Sequence, residues 1–239
     1  MYKKIKNIAR LLGVNENETK RNIWLKNVLG DIPNGLRILD AGAGELKNKP
    51  LCEHLIYVSQ DVCQYEGKGD LSGLHTGVWD TSKIDLVCDI ANIPEPDASY
   101  DVILCSEVFE HLTNPFKALD EFRRLLKPDG KLIITAPFAS FVHFAPYHYA
   151  TGFSKYWYEH HLPIRKFDIE ELSANGDWFS YVKQEMFRLP IMARKYGAWH
   201  WPLAYLVGAL GALYLSLING KNNSNELACF GWQCVAIKR

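Results

Sequence analysis

Arg37-Ile38-Leu39-Asp40-Ala41-Gly42-Ala43-Gly44-Glu45 is the stretch on which the reading of this chain turns. Apolar residues run into Asp40, and a Gly-Ala-Gly turn then bends the backbone sharply. A buried parallel strand ends this way where main chain must come close to a ligand. A bulky side chain at Gly42 or Gly44 would fill the space that ligand needs. These nine residues alone also describe an ordinary strand with a glycine turn, so the segments around them decide.

Working outward, Glu16 to Leu29 places Ile23, Trp24, Val28 and Leu29 at helical spacing before Asp31, Pro33 and Gly35 end the run. This predicts an N-terminal helix against the sheet or over a cofactor cleft. Strand one is Leu36 to Ala41, a short polar helix covers Leu46 to Glu53, and strand two is Leu55 to Ser59. Gln64 to Ser82 is glycine-rich and long for a loop, which marks it as functional or mobile. Strand three is Ile84 to Cys88. Strand four, Tyr100 to Ser106, is a continuous apolar run of the kind covered on both faces. Asn114-Pro115 opens a helix with Phe116, Leu119, Phe122, Leu125 and Leu126 as its apolar stripe, and Lys131 to Ala136 is strand five. Trp178 to Phe187 and Ala228 to Ile237 read as two further strands. Strands alternating with helical or loop segments predict an α/β fold with a doubly wound, mostly parallel sheet.

Hydrophobic residues make up 48% and charged residues 23% of 239, ordinary for a globular chain with a substantial core. Lys+Arg and Asp+Glu are equal at 27 each, so no global field favours nucleic acid, and a nucleic-acid methylating role lacks its basic patch. Cys52, Cys63, Cys88, Cys105, Cys229 and Cys234 form neither a CxxC pair nor a dense framework, and read as reduced thiols. Met1 to Lys20 is basic and polar without a sustained apolar stretch, so a cytoplasmic protein is expected.

Asp40, Asp61 and Asp89 end successive strands of one predicted sheet, where ligands of such sheets bind. An Asp about 20 residues past a glycine turn is placed to accept hydrogen bonds from ribose hydroxyls, which describes Asp61. Asp89 could take an exocyclic amine while Ile90 packs on an adenine face. Each Asp alone also reads as a polar residue ending a strand; three in series after Gly-x-Gly weaken that reading.

Leu39-Asp40-Ala41-Gly42-Ala43-Gly44, Val58-Ser59-Gln60-Asp61, Asp89-Ile90-Ala91-Asn92-Ile93-Pro94, Ser99-Tyr100-Asp101-Val102-Ile103-Leu104, Glu107-Val108-Phe109-Glu110-His111-Leu112 and Leu126-Lys127-Pro128-Asp129-Gly130-Lys131-Leu132 occur in the order seen in class I S-adenosylmethionine-dependent methyltransferases. The set resembles that superfamily, in particular its bacterial small-molecule branch, over Leu36 to Pro137. The resemblance implies a seven-stranded Rossmann-like sheet with the last strand antiparallel beside the fifth, and S-adenosylmethionine as cofactor. It places Gly42, Ala43 and Gly44 near the methionine part, Asp61 at the ribose and Asp89 with Ile90 at the adenine, with Asp40, Val62 and Ser106 completing the set. Leu46 stands where a third glycine is often found. A NAD-dependent dehydrogenase would want that glycine for a pyrophosphate, and Glu45 and Leu46 do not suit one. The implied division is a single methyltransferase domain: 1–35 a helical cap, 36–137 the cofactor-binding core, 138–177 the acceptor-site segment and 188–226 an apolar helical insertion.

Methyl transfer is an in-line displacement, in which the protein positions the acceptor and removes a proton from a hydroxyl or amine. His148, His143, His111 and Glu107 are the candidate catalytic residues, with His160, His161 and Glu110 as further candidate bases. Tyr147, Tyr149, Tyr156 and Trp157 are candidate substrate contacts, or else core rings. Glu107-x-x-Glu110-His111 resembles the metal-binding triad of some O-methyltransferases of the superfamily, yet Glu-His-Leu also occurs in metal-free relatives, and no metal is the expectation. The expected acceptor is a small molecule methylated at O or N, such as a saccharide, a lipid-linked or a quinone-like compound. The alternative is a cofactor-binding scaffold of the same fold without transfer activity.

Ala198 to Ile218 carries no Asp, Glu, Lys or Arg and is long enough for a membrane span. A single crossing conflicts with a last strand that must rejoin the sheet, and Pro202, Gly208 and Gly211 suggest a broken helix. The segment is expected to be a buried helix or helical pair, with a homodimer contact or peripheral membrane docking as the other readings.

Overall fold

The computed structural model describes residues 15–74, 77–218 and 223–239. The first fourteen residues of the expected cap, His75 and Thr76 of the glycine-rich loop, and residues 219–222 of the expected insertion lie outside them. Two compact units are present. One comprises Leu25–Ser173 with Gly231–Arg239, and the other comprises Ala174–Phe230 with the described residues before Leu25.

The larger unit is built on the sheet. Its strands are β1 (Arg37–Ala41), β2 (Ile56–Asp61), β3 (Leu86–Val87), β4 (Tyr100–Ser106), β5 (Leu126–Pro137), β6 (Phe167–Asn175) and β7 (Gly231–Lys238). The order is β3-β2-β1-β4-β5-β7-β6. β1 pairs in parallel with β2 and β4, and β4 with β5, whereas β7 runs antiparallel to β5 from Lys131↔Ile237 to Pro137↔Gly231. The seven-stranded sheet with one reversed strand is therefore as expected. β1 and β4 lie centrally, so Ile38, Leu39, Ile103, Leu104 and Cys105 have no exposed surface. That explains why their sequences are near-continuous apolar runs without alternation. All six cysteines are free.

Helix α1 (Glu16–Gly30) forms where expected but turns a different face inward: Leu25 and Leu29 are buried, one turn apart, and Ile23 is more than half exposed. The expected helix at Leu46 to Glu53 shrinks to a 3₁₀ turn at Lys49–Leu51. Helix α2 (Pro115–Leu125) begins at Asn114, whose Oδ1 accepts from the Lys117 amide at 3.2 Å, and Pro115 occupies the first turn. It buries Ala118, Leu119, Phe122 and Leu125. Helix α3 (Lys155–Ile164) follows the irregular stretch after β5.

Two further expectations are corrected. The segment from Phe167, unassigned from sequence, is strand β6 at the sheet edge; its charged Asp168, Glu170 and Glu171 suit an edge that must not recruit another chain. Trp178 to Phe187, read as a strand, belongs to helix α4 (Trp178–Lys195). Gly176 turns the chain at φ +76°, and Asp177 Oδ1 caps the helix by accepting from the Ser180 amide at 2.7 Å.

In the smaller unit α4 pairs with α5 (Trp201–Ile218). α5 is one continuous helix, not a broken one. Pro202 sits in its first turn, where proline is tolerated. Gly208 and Gly211 serve close approach: a Cβ on Gly208 would lie 2.4 Å from the Met186 carbonyl oxygen, and one on Gly211 2.8 Å from its sulfur. The expectation of a buried helix fails, because only Gly208, Ala212 and Leu215 are buried while Leu206, Leu210, Leu213 and Leu217 are all more than half exposed.

Candidate active site

All of the candidate site residues lie in the larger unit, and the cofactor candidates stand around the carboxyl ends of β1, β2, β3 and β4. Asp40 is buried inside the end of β1. Its carboxylate accepts from Tyr57 Oη at 2.7 Å and from Asn48 Nδ2 at 3.4 Å. Burial pushes its pKa up to about 6 against the pull of those bonds. Asp40 is thus a buried brace beneath the turn.

The turn itself bends through Gly42 at φ +77° and Gly44 at φ +51°, and Leu46 also adopts a left-handed φ of +59°. The third glycine of relatives is replaced here by a leucine that still takes the conformation a glycine would favour, at about 1 to 2 kcal/mol of strain. Side chains of this protein explain the two glycines. A Cβ on Gly42 would stand 2.5 Å from Val108 Cγ2, and one on Gly44 2.8 Å from Trp79 Cζ2. Amides of Gly42 and Ala43 donate to the Gln60 carbonyl at 2.8 and 2.9 Å, binding the turn to β2.

Asp61, ending β2, accepts from the Gly44 amide at 3.0 Å through Oδ2 and from the Cys63 amide at 2.8 Å through Oδ1. It holds the turn and retains further lone pairs for a ligand hydroxyl. Val62 beside it is exposed. Asp89 is exposed, with Oδ1 accepting from the Ala91 amide at 2.9 Å, while Ile90 is buried. At the end of β4, Ser106 Oγ and Thr135 Oγ1 are 2.8 Å apart, and Thr135 Oγ1 donates to Glu107 Oε1 at 3.0 Å. Glu107 has φ +57°, a strained conformation that turns the chain sharply out of the strand.

Sequence reasoning missed the aromatic cover. Trp79, Tyr65 and Phe144 form one cluster, with ring centroids 4.4 to 6.1 Å apart. The glycine-rich loop that carries Tyr65 and Trp79 is docked along the acceptor segment: the Asp70 amide donates to the Ala145 carbonyl and the Leu74 amide to that of Val142. Backbone at Gly69 and Gly73 comes so close to those carbonyls that a Cβ would lie 1.8 and 2.3 Å away, which is the reason for glycine there. No periodic signal announces such a loop-to-loop contact.

Three histidines named from sequence meet. His111, in the 3₁₀ turn Phe109–His111 after β4, has its ring centroid 4.7 Å from that of His143 and 6.0 Å from that of His148. Burial, with His143 and His148 close by, pulls the His111 pKa down to about 4 despite its bond to the Tyr147 carbonyl. His148 is likewise pushed down by burial. Glu110 is buried beneath them, its Oε1 at 3.7 Å from His111 Nε2 and 3.8 Å from His143 Nε2. Tyr147 lies in the same stretch, and Tyr149 is half exposed. The other candidates are elsewhere. Trp157 packs among Phe109, Phe116 and Phe153. His161 joins Phe116 and Trp157, while Tyr156 and His160 face solvent.

The sequence profile of the methyltransferase domain family matches residues 69–134. A ubiquinone biosynthesis O-methyltransferase of Xylella fastidiosa is 31% identical over 104 residues, 42% of either chain. Among solved structures, 1,6-didemethyltoxoflavin N1-methyltransferase of Burkholderia thailandensis, with bound S-adenosylhomocysteine, aligns over 94% of this chain and 78% of its own (TM-score 0.53, 14% identity). Phosphoethanolamine N-methyltransferase 2 of Haemonchus contortus, in complex with S-adenosylmethionine, aligns over 91% and 52% (TM-score 0.51, 16% identity). Residues 69–134 are thus similar to a methyltransferase domain, and the fold is the one these S-adenosylmethionine-dependent methyltransferases share. The matched part spans about two fifths of the Xylella relative's length. S-adenosylmethionine fits the residues present: the Asp61 and Asp89 carboxylates beside the glycine turn offer acceptors for hydroxyls and an amine.

Proposed function

We propose that this chain transfers a methyl group to an oxygen of a small hydroxylated, quinone-like aromatic acceptor. The single observation that carries the reading is the imidazole cluster beside the strained Glu107 turn, at the ends of the strands whose carboxylates suit the cofactor. When bound, S-adenosylmethionine supplies an electrophilic methyl carbon on a sulfonium. Asp61 and Asp89 would hold the ribose and adenine, with Ile90 beneath the base, while Gly42 and Gly44 set the turn against the methionine part. His143 Nδ1 donates to the Phe141 carbonyl at 2.8 Å, so that in the neutral ring Nε2 presents the lone pair able to take the proton of an acceptor hydroxyl. Phe144, Trp79 and Tyr65 offer ring faces for a planar acceptor and help exclude water. The name of the Xylella relative supports an aromatic acceptor with an apolar tail. The test is turnover: S-adenosylhomocysteine should form with catechol-type quinone precursors, and His143→Ala should lower kcat by 10²- to 10⁴-fold. A wild-type chain that binds cofactor but turns over none of them would favour the scaffold reading.

An apolar acceptor also suits a lipid surface as the partner of the α4–α5 hairpin. Eighteen residues of α5 span about 27 Å at 1.5 Å each, with no Asp, Glu, Lys or Arg. The last turn of α4 carries Arg194 and Lys195 and the connection after it carries Trp199, which is 90% exposed; basic and tryptophan side chains of this kind suit an anionic headgroup region. Because the chain leaves from β6 and returns as β7, its neighbour in the sheet, the proposed docking is peripheral. Flotation with anionic vesicles should capture the chain and lose Leu210→Lys with Leu217→Lys. A dimer in sedimentation, with no vesicle binding, would instead assign the face to a second copy.

A further inference from the structure

We propose that His111, His143 and His148 form a binding site for one divalent transition cation of the zinc type, with Glu110 supplying the fourth ligand. One ligand atom from each of the three rings lies within 4.8 Å of the others. Two of the rings are oriented as metal ligands usually are, through the nitrogen that does not bind. His111 Nδ1 is 2.6 Å from the Tyr147 carbonyl oxygen and His143 Nδ1 2.8 Å from that of Phe141. A carbonyl oxygen can only accept, so both Nδ1 atoms carry the hydrogen, and in the neutral rings both Nε2 atoms present bare lone pairs. Those lone pairs face Glu110 Oε1 at 3.7 and 3.8 Å. Lone pairs of neutral rings directed at a carboxylate oxygen repel it, and a metal cation lying between them, like a ring proton, turns that repulsion into attraction.

The third ring adds an independent observation. Both ring nitrogens of His148 are buried and neither has a hydrogen-bond partner. A buried imidazole left in that state carries a desolvation penalty that a coordinate bond would remove. The scaffold around the cluster is fixed: the Tyr149 and Ala150 amides both donate to the Glu110 carbonyl, at 2.9 and 3.1 Å, which ties the turn bearing His111 to the segment bearing His148.

The donor set selects the ion. Imidazole suits Zn²⁺, Cu²⁺, Fe²⁺ and Ni²⁺, whereas Mg²⁺ demands oxygen. With Zn–N near 2.0–2.1 Å, tetrahedral ligands stand about 3.3 Å apart. To reach that spacing the two Glu110 distances need to shorten by roughly 0.4 and 0.5 Å and the widest imidazole pair by about 1.5 Å at most. The sequence triad with Glu107 is not what assembles, since Glu107 Oε1 is engaged by Thr135. The cation's role toward the acceptor rests on the methyl-transfer reading: it would polarise an acceptor hydroxyl and release its proton in place of the His143 base.

The test is binding of the metal itself. The full chain, stripped with a chelator, is titrated with Co²⁺ and read by its visible d–d absorption, then back-titrated with Zn²⁺. One Co²⁺ per chain with the intense band of four-coordinate geometry, displaced by equimolar Zn²⁺ and not by excess Mg²⁺, is expected. His148→Ala and His143→Ala should each weaken it at least roughly 100-fold. Zn²⁺ should raise the wild-type Tm in a concentration-dependent way and leave that of His148→Ala unmoved, which keeps the result readable if the variant is less stable. Wild-type binding no tighter than that of His148→Ala, or displacement by Mg²⁺, overturns the site. Calorimetry with S-adenosylhomocysteine on the same samples separates the two ideas: cofactor binding without metal binding sinks only the cation site.

Discussion

Replacing Gly42 by alanine tests why the first turn needs glycine. The residue sits at φ +77°, which costs an L side chain about 1–2 kcal/mol. The new Cβ would also stand 2.5 Å from Val108 Cγ2, 2.8 Å from Cγ1 and 3.2 Å from Cβ. No rotation of Val108 relieves all three contacts, so backbone must shift, and overpacking of this kind costs about 1–3 kcal/mol. Together the expected loss is about 3 kcal/mol, measured by urea unfolding at pH 7 followed by tryptophan fluorescence. A double-mutant cycle isolates the cause: with Val108→Ala the steric share should return as a coupling of at least about 1 kcal/mol, leaving the backbone share. A Gly42→Ala loss below about 0.5 kcal/mol, or strictly additive effects with Val108→Ala, would refute the packing explanation. Cofactor affinity of the double variant then reports whether the ligand also needs the space.

Asp40→Asn removes a carboxyl whose folded pKa is about 6 against the ordinary 3.8. The folded state therefore binds the proton more tightly, and this group makes stability fall as pH rises from about 4 to about 6, with no further loss above. The variant should gain up to about 3 kcal/mol relative to wild type at pH 7 and almost nothing at pH 4, by urea unfolding at both values. His111 has the opposite sign: its pKa is lowered to about 4, so its contribution is present above about 6.5 and is lost as pH falls through 4, and His111→Gln should flatten that acid limb in the same assay. Leu46→Gly, at φ +59°, should leave stability unchanged or raise it by up to about 1 kcal/mol in thermal unfolding. Gly208→Leu would press on the Met186 carbonyl and should open the α4–α5 hairpin to proteolysis while the sheet stays protected.

The central strands and α2 were legible because each is written in local terms: an unbroken apolar run for β4, and Asn114-Pro115 with a 3–4 spaced stripe for α2. β6 was not, since an edge strand with Asp168, Glu170 and Glu171 buries too little to carry a pattern. α4 was misread although Asn175-Gly176-Asp177 is a turn followed by a cap, because its aromatic residues also suit a strand. In the site, residue types were legible and their grouping was not. Nothing in spacing brings His111 to His143 and His148, which meet through the carbonyls of Tyr147 and Glu110, or places Trp79 over Gly44. The exposure of α5 was equally hidden, because hydropathy does not say which side of a helix finds a partner.

Calorimetric titration of the purified chain with S-adenosylmethionine bears most directly on the whole account. One site per chain is expected, with Asp61→Ala and Asp89→Ala each weakening it about tenfold or more as a charge-assisted hydrogen bond is lost. An absent heat of binding in the wild type, or unchanged affinity in both variants, would contradict it.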